Sequence, residues 1–479
     1  MLRKLSLALA VSCASNAMAW AAEAPLSTKT DLVSVYQEAV DNNADLAAAR
    51  AQYGAQKEVV PQARAGLLPN LSAGADVNNV RTQIDTPSAT ANRDAHTWRA
   101  TLSQPLFRAD RWFQLQAAEA VNEQAALQLS ATEQELILQS AENYFAVLRA
   151  QDNLASTKAE EAAFKRQLDQ SNERFDVGLS DKTDVLQSQA SYDTARANRI
   201  LAQRQVDDAF EALITLTNRQ YNAIQGIVHT LPVLPPAPND AKAWVDTAGR
   251  QNLNLLASNY AVTAAEETLK QRKAGHAPTL DAVAQYEKGD NDALGFSNPN
   301  AFGQPYRGDV EQRTIGLRLN IPLYSGGLTS SQVRESYSRL GQTEQQREGL
   351  RRQVVENTRN LHRAVNTDVE QVQARRQSII SNQSAVEATE IGYQVGTRNI
   401  VDVLDAQRQL YTSVRNYNNS RYDYILDNLR LKQAAGTLNP GDLQDLARYL
   451  KADYNPDKDF LPPDLAKAAA EQLKARPNN

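Results

Sequence analysis

The chain has 479 residues, a formal net charge of −5, and only 6% aromatic residues within a hydrophobic content of 42%. A mildly acidic chain without a basic block argues against a nucleic-acid partner, and few aromatics suit long, narrow helix contacts better than a thick globular core. The single cysteine, Cys13, lies near the start of the chain. The rest of the chain therefore holds no disulfide, thiol nucleophile or cysteine metal site.

Residues 1–22 are predicted to be a secretory signal peptide. They contain two basic residues, a short apolar run over residues 5–11 and small-residue cleavage sites over residues 17–21. Lipid attachment at Cys13 is an alternative, although the three preceding residues lack the leucine that such a site favours. The rest of the chain has no apolar run near the ~20 residues of a spanning helix. If the chain crosses a membrane, it must therefore do so as strands.

The first half begins with a helical pattern over residues 31–64, which ends before a proline. Apolar and polar residues then alternate over 71–78 and again over 97–103, on either side of a polar loop at 81–94. This period of two predicts a hairpin over about 71–106, with two strands of about ten residues each.

A very long helix is predicted next. No proline occurs over residues 106–231, and residues 110–175 also lack glycine. A helix of about 65 residues would be ~100 Å long. It ends at a turn over 176–180, where Gly178 can adopt the left-handed conformation that closes a helix. A return helix then runs to about Asn218, before a proline-rich linker.

The second half repeats this pattern, so the chain is predicted to be an internal duplication of residues 23–231 and 232–436. Equivalent residues lie 209 positions apart up to the first strand of each hairpin, 217 apart in the second strand and 218 apart at the helix turns. The second hairpin is predicted over about 280–322, with a longer loop, and the second turn over 394–398. The polar C-terminal tail, 437–479, is predicted to be partly disordered.

Most of the candidate functional residues are polar residues in the two turn regions. Residues 175–189 and 393–407 match each other without gaps. Asp402 and Asp405 lie three positions apart on one helix face, and like charges at this spacing weaken a helix by a few tenths of a kcal/mol. Asn399 can cap this helix with Asp402 at its third position, which explains Asp402 better than Asp405.

Four strands of this length cannot close a barrel by themselves. In a bilayer an open sheet edge is forbidden, because unpaired backbone groups find no water there. Three copies would supply twelve strands, an even number within the range of outer-membrane barrels, and would surround a tube with twelve helical rods. The alternative is a soluble coiled-coil protein that carries two short hairpins.

Short motifs at the junctions and turns carry a resemblance to a known family. Gln104-Pro-Leu-Phe107 and Ile321-Pro-Leu-Tyr-Ser-Gly-Gly327 stand where strands become helices. Together with Gly392-Tyr-Gln-Val-Gly-Thr-Arg398 and Val401-Asp-Val-Leu-Asp-Ala406, they resemble the TolC-type outer-membrane efflux and secretion channel family over residues 31–439. The resemblance implies a mixed α and β membrane protein: a homotrimeric 12-stranded transmembrane β-barrel, with 4 strands per chain, continued by a long periplasmic 12-helix α-barrel.

The same resemblance implies a function. The protein would be a passive outer-membrane exit duct of a tripartite efflux pump or type I secretion system. Its periplasmic end would meet an adaptor protein and an inner-membrane pump or ABC exporter, and its barrel would contact outer-membrane lipid. Small toxic compounds and secreted proteins are both candidate cargo. The alternative function is that of a non-channel periplasmic coiled-coil adaptor or a surface stalk.

The resemblance also implies roles for residues at the two turns. Asp402 and Asp405 correspond to the channel constriction. The residues that link neighbouring helices and hold the gate closed correspond to Thr183, Asp184, Tyr393 and Arg398. The residues that contact the adaptor at the periplasmic tip correspond to Val177, Gly178, Leu179, Val395, Gly396 and Thr397. The expected opening is an outward swing of the inner helix pair when links of the Asp184–Arg398 type break. Without the resemblance, the sequence is equally consistent with Arg398 as a solvent-exposed charge and with Arg398 as a residue that links neighbouring helices.

No enzymatic site is predicted. The four histidines are scattered along the chain without the spacing of metal ligands. A phosphate-binding glycine loop and a nucleophile elbow are also missing from the sequence. We therefore expect no catalytic, cofactor-binding or metal-binding residue, and the energy for transport would come from the partner.

Overall fold

The computed structural model describes residues 29–85, 88–290 and 309–462. The predicted signal peptide, the end of the polar tail and most of the predicted loop of the second hairpin lie outside these ranges. Within them the chain forms long helices and a four-stranded antiparallel sheet, with the same order of elements occurring twice.

The first repeat contains three short helices, a strand hairpin, a long helix and a return helix. These are α1 (Leu32–Asn42), α2 (Ala44–Lys57), α3 (Val59–Ala65), β1 (Asn70–Asp85), β2 (Ser88–Phe107), α4 (Ala109–Asp176) and α5 (Lys182–Thr217). The second repeat has two short helices and a 3-10 turn in place of the first three helices. Its elements are α6 (Ala241–Gln251), α7 (Leu253–Lys273), the 3-10 turn (Ala274–His276), β4 (Thr279–Asp290), β5 (Asp309–Asn320), α8 (Leu328–Gln394) and α9 (Ile400–Ala434). The short elements outside the two repeats are β3 (Gly226–Ile227), α10 (Pro440–Ala447), β6 (Leu450–Lys451) and α11 (Pro456–Asp459).

The two long helices match the predicted length. α4 contains 68 residues and α8 contains 67, so each is ~100 Å long. α4 reaches this length without interruption because it contains neither proline nor glycine. Among the described residues, no helix has a segment that is both long and apolar enough to span a membrane.

The helical pattern predicted over 31–64 is divided into α1, α2 and α3, and an asparagine explains the first division. The Asn43 side chain accepts a hydrogen bond from the backbone N–H of Leu46 (2.9 Å) and donates one to the carbonyl of Leu216, at the end of α5 (3.3 Å). The second repeat contains the same arrangement, in which Asn252 caps α7 and donates to the carbonyl of Ala434 at 3.0 Å. Each asparagine thus joins the start of a short helix to the end of a return helix.

We expect Asn43→Ala and Asn252→Ala each to lower the free energy of unfolding by about 1–2 kcal/mol, because each removes a helix cap and leaves a carbonyl oxygen without its donor. Denaturant unfolding of the detergent-solubilised protein measures this loss. Asn42→Ala is the matched control, because the Asn42 side chain donates only to Glu38 in its own helix. Equal losses for Asn42→Ala and Asn43→Ala would contradict the joining role.

The contacts of Asn43 and Asn252 connect the short helices to the return helices, so the protomer contains four helical rods side by side. The first rod consists of α1–α3 and α5, and the third consists of α6, α7 and α9. α4 lies between them, packed against α5 on one side and against α7 and α9 on the other. α8 packs against α6, α7 and α9 and forms the fourth rod. Within the protomer, the first rod and α8 therefore lie at the two ends of the row.

The C-terminal tail folds onto the middle of this row. β6 pairs with β3, with Ile227 opposite Leu450. Leu443, Tyr454 and Phe460 are buried there, and Leu443 and Phe460 belong to the main apolar cluster, which α4 and α9 dominate. Residues 437–462 of the tail, which was predicted to be partly disordered, are therefore ordered, because a few apolar residues in this polar segment dock it onto the helix surface. Residues 463–479 lie outside the described part of the chain.

A buried carboxylate anchors this tail. Asp152 of α4 accepts a hydrogen bond from the Tyr422 hydroxyl of α9 (2.7 Å) and another from the Tyr454 hydroxyl of the tail. Burial raises the pKa of Asp152 to about 6, and the two hydroxyls and the nearby Arg421 oppose this shift. One carboxylate therefore connects the first repeat, the second repeat and the tail.

The sheet has the strand order β1-β2-β4-β5, and every neighbouring pair is antiparallel. β1 and β2 contain 16 and 20 residues, and β2 begins three positions after the last residue of β1. The predicted loop at 81–94 is therefore wrong for residues 81–85 and 88–94, which form strand. β4 and β5 contain 12 residues each, closer to the predicted length.

The exposure of the two faces of the sheet is the reverse of that in a soluble protein. On one face, apolar side chains are open to solvent, with Ile315 89% exposed and Leu317 70% exposed. On the other face, polar side chains contact each other, and Arg99 forms an ion pair with Glu287 at 2.6 Å. A soluble sheet buries its apolar face, whereas a membrane barrel presents it to lipid.

Candidate functional site

The helix turns lie at the end of the rods remote from the sheet, and a glycine closes each of them. Gly178 and Gly396 have φ angles of 76° and 77°, in the left-handed region that glycine adopts without strain. The backbone N–H of Leu179 donates to the Arg174 carbonyl at 2.8 Å, and that of Thr397 donates to Gly392 at the same distance. Both turns therefore close with the same pattern of hydrogen bonds.

A second glycine positions Arg398. A Cβ atom placed on Gly392 would lie 2.7 Å from Cγ of Arg398, so the arginine stem crosses the last turn of α8 where that glycine leaves room. The guanidinium then reaches Asp402, with 3.9 Å between Nη1 and Oδ2. Within the protomer, Arg398 thus contacts the helix that follows it. The predicted link to Asp184 is not among these contacts.

Capping residues fix the start of each return helix. Asp181 accepts hydrogen bonds from the backbone N–H groups of Thr183 (2.8 Å) and Asp184 (3.1 Å). Asn399 and Asp402 form a reciprocal capping box, with hydrogen bonds of 2.9 and 3.3 Å. The local explanation of Asp402 as a capping residue is therefore correct.

Asp405 has a different environment from Asp402. Its carboxylate forms an ion pair with Arg408 of the same helix at 2.6 Å, and both side chains are exposed. An exposed pair of this kind contributes ~0–1 kcal/mol, so it does not explain why an aspartate occupies this position. In contrast to Asp402, the contacts of Asp405 among the described residues therefore do not explain its position.

An apolar cluster from all four long and return helices lies just above the turns. It contains Phe164, Ala195, Tyr393, Ile400, Val403 and Leu404. Tyr393 is only 7% exposed, and the guanidinium of Arg174 lies 5.0 Å from its ring centroid. Its hydroxyl lies near Ser171 and Ser180 but makes no well-formed hydrogen bond in the described part of the chain. Burial and the nearby Asp184 carboxylate raise the pKa of Tyr393.

The structure thus brings some of the predicted gate residues together. Tyr393 lies within electrostatic reach of Asp184, whose carboxylate accepts a hydrogen bond from Ser180 at 2.7 Å. Thr183 and Asp184 share the first turn of α5. Arg398 instead lies beside Asp402. The contact of Arg398 with the residues of α5 stays a prediction that needs a second copy of the chain.

The tips of both turns expose apolar side chains. Val177, Leu179 and Val395 each have about two thirds of their surface open to solvent, beside Gly178 and Gly396. Isolated exposed apolar residues are common, but these belong to two matching turns at the same end of the protomer. The predicted adaptor contact therefore has a physical basis in the chain, and it stays a prediction.

Sequence reasoning missed three residues of this region. Arg174 stacks on Tyr393, Arg408 pairs with Asp405, and Gly392 makes room for Arg398. The spacing of three between Asp405 and Arg408 was a sequence signal for that pair. No signal in the sequence points to the stacking of Arg174 on Tyr393, because the two residues lie on different helices.

The comparison with protein families decides to which family the chain belongs. The family model described as outer membrane efflux protein matches residues 35–219 and 244–437, which together are most of the chain. The chain belongs to the outer membrane efflux protein family. One matched segment overlaps the predicted first repeat, residues 23–231, and the other overlaps the predicted second repeat, residues 232–436. The predicted family and fold class are confirmed.

Individual relatives agree with this assignment. The outer membrane protein TolC of Vibrio cholerae is 38% identical over 426 residues, which cover 88% of this chain and 94% of the relative. The alkaline protease secretion protein AprF of Pseudomonas aeruginosa is 26% identical, over 86% of each chain. The solved structure of the transmembrane channel CusC superimposes with a TM-score of 0.75 at 16% identity, over 86% of this chain and 93% of that one.

These findings locate the two ends of this family member. It is an outer-membrane protein with a large periplasmic part, and its family is one of channel and transport proteins. The sheet with the exposed apolar face is the membrane end. The helix turns with Asp402 and Asp405 are the periplasmic end.

Proposed function

We propose that three copies of this chain form a passive exit duct that crosses the outer membrane and continues through the periplasm. The observation that carries the proposal is the four-stranded sheet with an exposed apolar face and two unpaired edges. A single sheet of this kind is unstable in lipid, because the edge N–H and C=O groups have no partner. Three sheets joined edge to edge form a closed barrel of twelve strands.

The constriction of this duct would lie at Asp402 and Asp405. Threefold symmetry brings six carboxylates around one axis at the narrow periplasmic end, and such a ring favours cations over anions. Asp402 is held by the capping box and Arg398, whereas in the described part of the chain the partner of Asp405 is the exposed Arg408. We therefore assign the larger share of ion selectivity to Asp405.

The closed state would be held by contacts that the single protomer leaves incomplete. The buried hydroxyl of Tyr393 makes no well-formed hydrogen bond, and a buried hydroxyl without a partner costs about 1–3 kcal/mol. The negative charge of Asp184 contributes to the raised pKa of Tyr393, so this carboxylate lies within electrostatic reach of the hydroxyl. Arg398 is exposed and pairs only loosely with Asp402, so it is available to Thr183 and Asp184 of a second copy. Opening would be an outward movement of α8 and α9 about the turn at Gly396.

The exposed tips fit partners at the periplasmic end. Val177, Leu179 and Val395 present small apolar surfaces beside the two glycine turns. A periplasmic adaptor protein that contacts these tips would connect the duct to an inner-membrane pump or ABC exporter. The duct has no energy source of its own in this proposal, so the exporter supplies the energy.

The proposal for the cargo of the duct is based on the names of a relative and of the family. The name of AprF describes secretion of an alkaline protease, and the matching family is named for efflux. We therefore propose that this duct serves type I secretion, efflux of small compounds, or both. Deletion of the chain, followed by measurement of drug sensitivity and of the secreted proteins, separates these uses.

The experiment that tests the duct and its gate is single-channel recording in planar bilayers. The wild-type protein is expected to form channels of low conductance. The double variant Arg398→Ser with Tyr393→Phe is expected to raise the conductance severalfold, because it removes the guanidinium and the hydroxyl that are proposed to link neighbouring helices. Ion selectivity for cations is expected in both proteins, because Asp402 and Asp405 are retained.

A matched control loses a positive charge at the same end of the molecule without touching the gate contacts. Lys182→Ser serves this purpose, since Lys182 begins α5 but is not one of the linking residues. If Lys182→Ser and the double variant raise the conductance equally, the proposed links are wrong. A protein that stays soluble without detergent and forms no channels would contradict the duct itself.

A further inference from the structure

The lipid-facing side of the sheet changes in character along its length. Residues directly opposite each other in an antiparallel pair share a face, so the register assigns every side chain to one side. Near the helices this face is apolar, with Leu71, Leu102, Leu280, Ala282, Ala284, Ile315, Leu317 and Leu319. Near the far ends of the strands the same face carries ionisable side chains, those of Asp94, His96, Lys288, Asp290, Asp309, Glu311 and Arg313. The apolar face therefore has a charged end, remote from the helices.

The charged end lies at the edge of the apolar band. A barrel strand crosses a membrane in about 9–11 residues. Tyr324 follows β5 on the side of the helices and is 89% exposed, and tyrosines are enriched at membrane interfaces. Arg313 lies eleven positions before Tyr324, beyond the apolar run of β5. Arg313 therefore lies at the opposite interface, which is the outer leaflet, because the helices are on the periplasmic side.

Two cations of this charged end are neighbours. Lys288 of β4 faces Glu311 of β5, and Tyr286 of β4 faces Arg313 of β5. Lys288 and Arg313 are therefore diagonal neighbours on one face, and the Cα atoms of such neighbours lie about 7–8 Å apart. Long side chains bridge this distance, so the two positive charges can meet at a single anionic group.

Arg313 is held in place while part of its donor capacity stays open. Its Nε and Nη2 atoms donate to the same oxygen of Glu311, at 3.0 and 2.6 Å, and its guanidinium lies 5.9 Å from the ring centroid of Tyr286. Nη1 forms no hydrogen bond among the described residues, and the side chain is 77% exposed. A guanidinium has five N–H donors in a planar fork. Glu311 and Tyr286 therefore orient Arg313 and leave one of its edges for an anion.

Lys288 is held less tightly than Arg313. Its Nζ atom lies 3.8 Å from Asp309, beyond hydrogen-bond distance, and about half of the side chain is exposed. Asp309 also lies 3.6 Å from Nε2 of His96, and the backbone N–H of His96 donates to Asp290 at 2.9 Å. Both aspartates thus contact His96, whereas the ammonium of Lys288 keeps its donors for a further acceptor.

We propose that Lys288 and Arg313 bind a phosphate group of a phosphorylated glycolipid in the outer leaflet of the membrane. An arginine fork and a lysine are the side chains that proteins use to bind phosphate. Trp98 faces Lys288 from β2 and is 64% exposed, so its ring packs beside the bound headgroup, as tryptophans at membrane interfaces do. The site requires the outer-membrane location of the protein and is independent of the gate and the partners of the proposed duct.

The position of the two cations favours a lipid phosphate as their partner. A charged side chain on the lipid face of a barrel destabilises the protein more, the deeper it lies in the bilayer. Glu311 and Asp309 lower this cost for Arg313 and Lys288, because each lies beside one of the two cations. A phosphate on the open side of both cations completes their pairing. The occupant is lipid and not cargo, because this is the face that is turned to the membrane.

Native mass spectrometry of the delipidated full-length protein in detergent tests this site. The probe is diphosphorylated lipid A, and the matched control is the same glycolipid with both phosphates removed. We expect the wild-type protein to bind the phosphorylated probe about tenfold more tightly, which is the effect of one charge-assisted hydrogen bond. Equal binding of the two glycolipids would overturn the proposal, and this comparison needs no variant.

Variants that remove one charge locate the site. Lys288→Gln and Arg313→Gln are each expected to lower the affinity for diphosphorylated lipid A about tenfold and to leave the affinity for the dephosphorylated glycolipid unchanged. Arg318→Gln is the matched control, because Arg318 lies on the same strand as Arg313 but on the polar face, opposite Asp281. If Arg318→Gln lowers the affinity as much as Arg313→Gln does, the phosphate is not bound at this face.

Two further measurements decide how the phosphate is held and which lipid carries it. The chelator EDTA is expected to leave binding unchanged, because Lys288 and Arg313 contact the phosphate directly. Loss of binding in EDTA would mean that a divalent cation beside Glu311 and Asp309 holds the lipid, and would refute the direct contact. Phosphatidylglycerol, with one phosphodiester charge, is expected to bind more weakly than lipid A, and equal affinity would refute the glycolipid as the partner. A protein that forms no channels but still prefers the phosphorylated probe contradicts the proposed duct alone.

Discussion

Replacing Leu317 with arginine is expected to prevent stable assembly in the outer membrane. Leu317 is the central residue of the apolar run Ile315, Leu317 and Leu319 on β5, and all three side chains are exposed in the protomer. A lipid-facing arginine near the middle of a bilayer costs about 2–4 kcal/mol in a membrane barrel. In the proposed trimer this cost would occur three times, so we expect the outer-membrane fraction to lack the heat-resistant trimer that the proposal predicts for the wild-type protein.

Thr314→Arg is the matched control for this result. Thr314 lies on the same strand but on the opposite face, where it is paired with Gln285. That face is polar and would line the aqueous interior, so an added arginine there keeps its hydration. We expect Thr314→Arg to assemble normally. Equal loss of trimer in both variants, or in neither, would contradict the assignment of the two faces.

Replacing Asp152 with alanine is expected to release the C-terminal tail and to destabilise the middle of the helical row. The variant leaves the buried hydroxyls of Tyr422 and Tyr454 without their common acceptor. Two buried unsatisfied hydroxyls and a small cavity cost about 2–4 kcal/mol. Denaturant unfolding measures the loss, and limited proteolysis of residues 437–462 reports on release of the tail.

Asp453→Asn is the control, because the Asp453 side chain is largely exposed on the same tail and lies 3.8 Å from Lys451. We expect this variant to keep both its stability and its protection from protease. If Asp152→Ala leaves the tail as protected as Asp453→Asn does, Asp152 is not the anchor.

The same carboxylate gives a pH signature. Its folded-state pKa of about 6 lies above the ordinary value of 3.8, so the folded protein binds this proton more tightly than the unfolded chain. The part of the stability that comes from this raised pKa is therefore largest below about pH 4 and is lost as the pH rises to about 6, whereas the carboxylate still accepts the two hydroxyl hydrogen bonds above that pH. Relative to Asp152→Asn, the wild-type protein should lose stability across this interval. A difference that stays constant from pH 4 to pH 7 would contradict the raised pKa.

Most of the fold could be predicted from the sequence, because the patterns that indicate helices, turns and strands depend on residues that are close together in the chain. The absence of proline and glycine over residues 110–175 predicted a single long helix, and α4 has that form. Gly178 and Gly396 predicted left-handed turns, since other residues are strained there. The alternation over 71–78 and 97–103 predicted a sheet with one apolar face.

The family was also determined by the sequence, because its motifs lie at fixed junctions and turns. Those motifs carried the proposed roles of Asp402, Asp405 and the linking residues. The chemistry of Asp402 as a capping partner of Asn399 was visible in their spacing alone. The proposed role of Asp402 in a ring around an axis was not visible in this way, because a ring requires a symmetry that one chain does not contain.

Only the tertiary structure decided features that depend on contacts between distant segments. Residues 81–85 and 88–94 form strand because a partner strand satisfies their backbone. The tail from 437 to 462 is ordered because α4 and α9 offer it an apolar surface. Asn43 and Asn252 join helices that are far apart in sequence. Local periodicity fixes how a segment folds, but side-chain packing and hydrogen bonding between segments fix where it ends and what it touches.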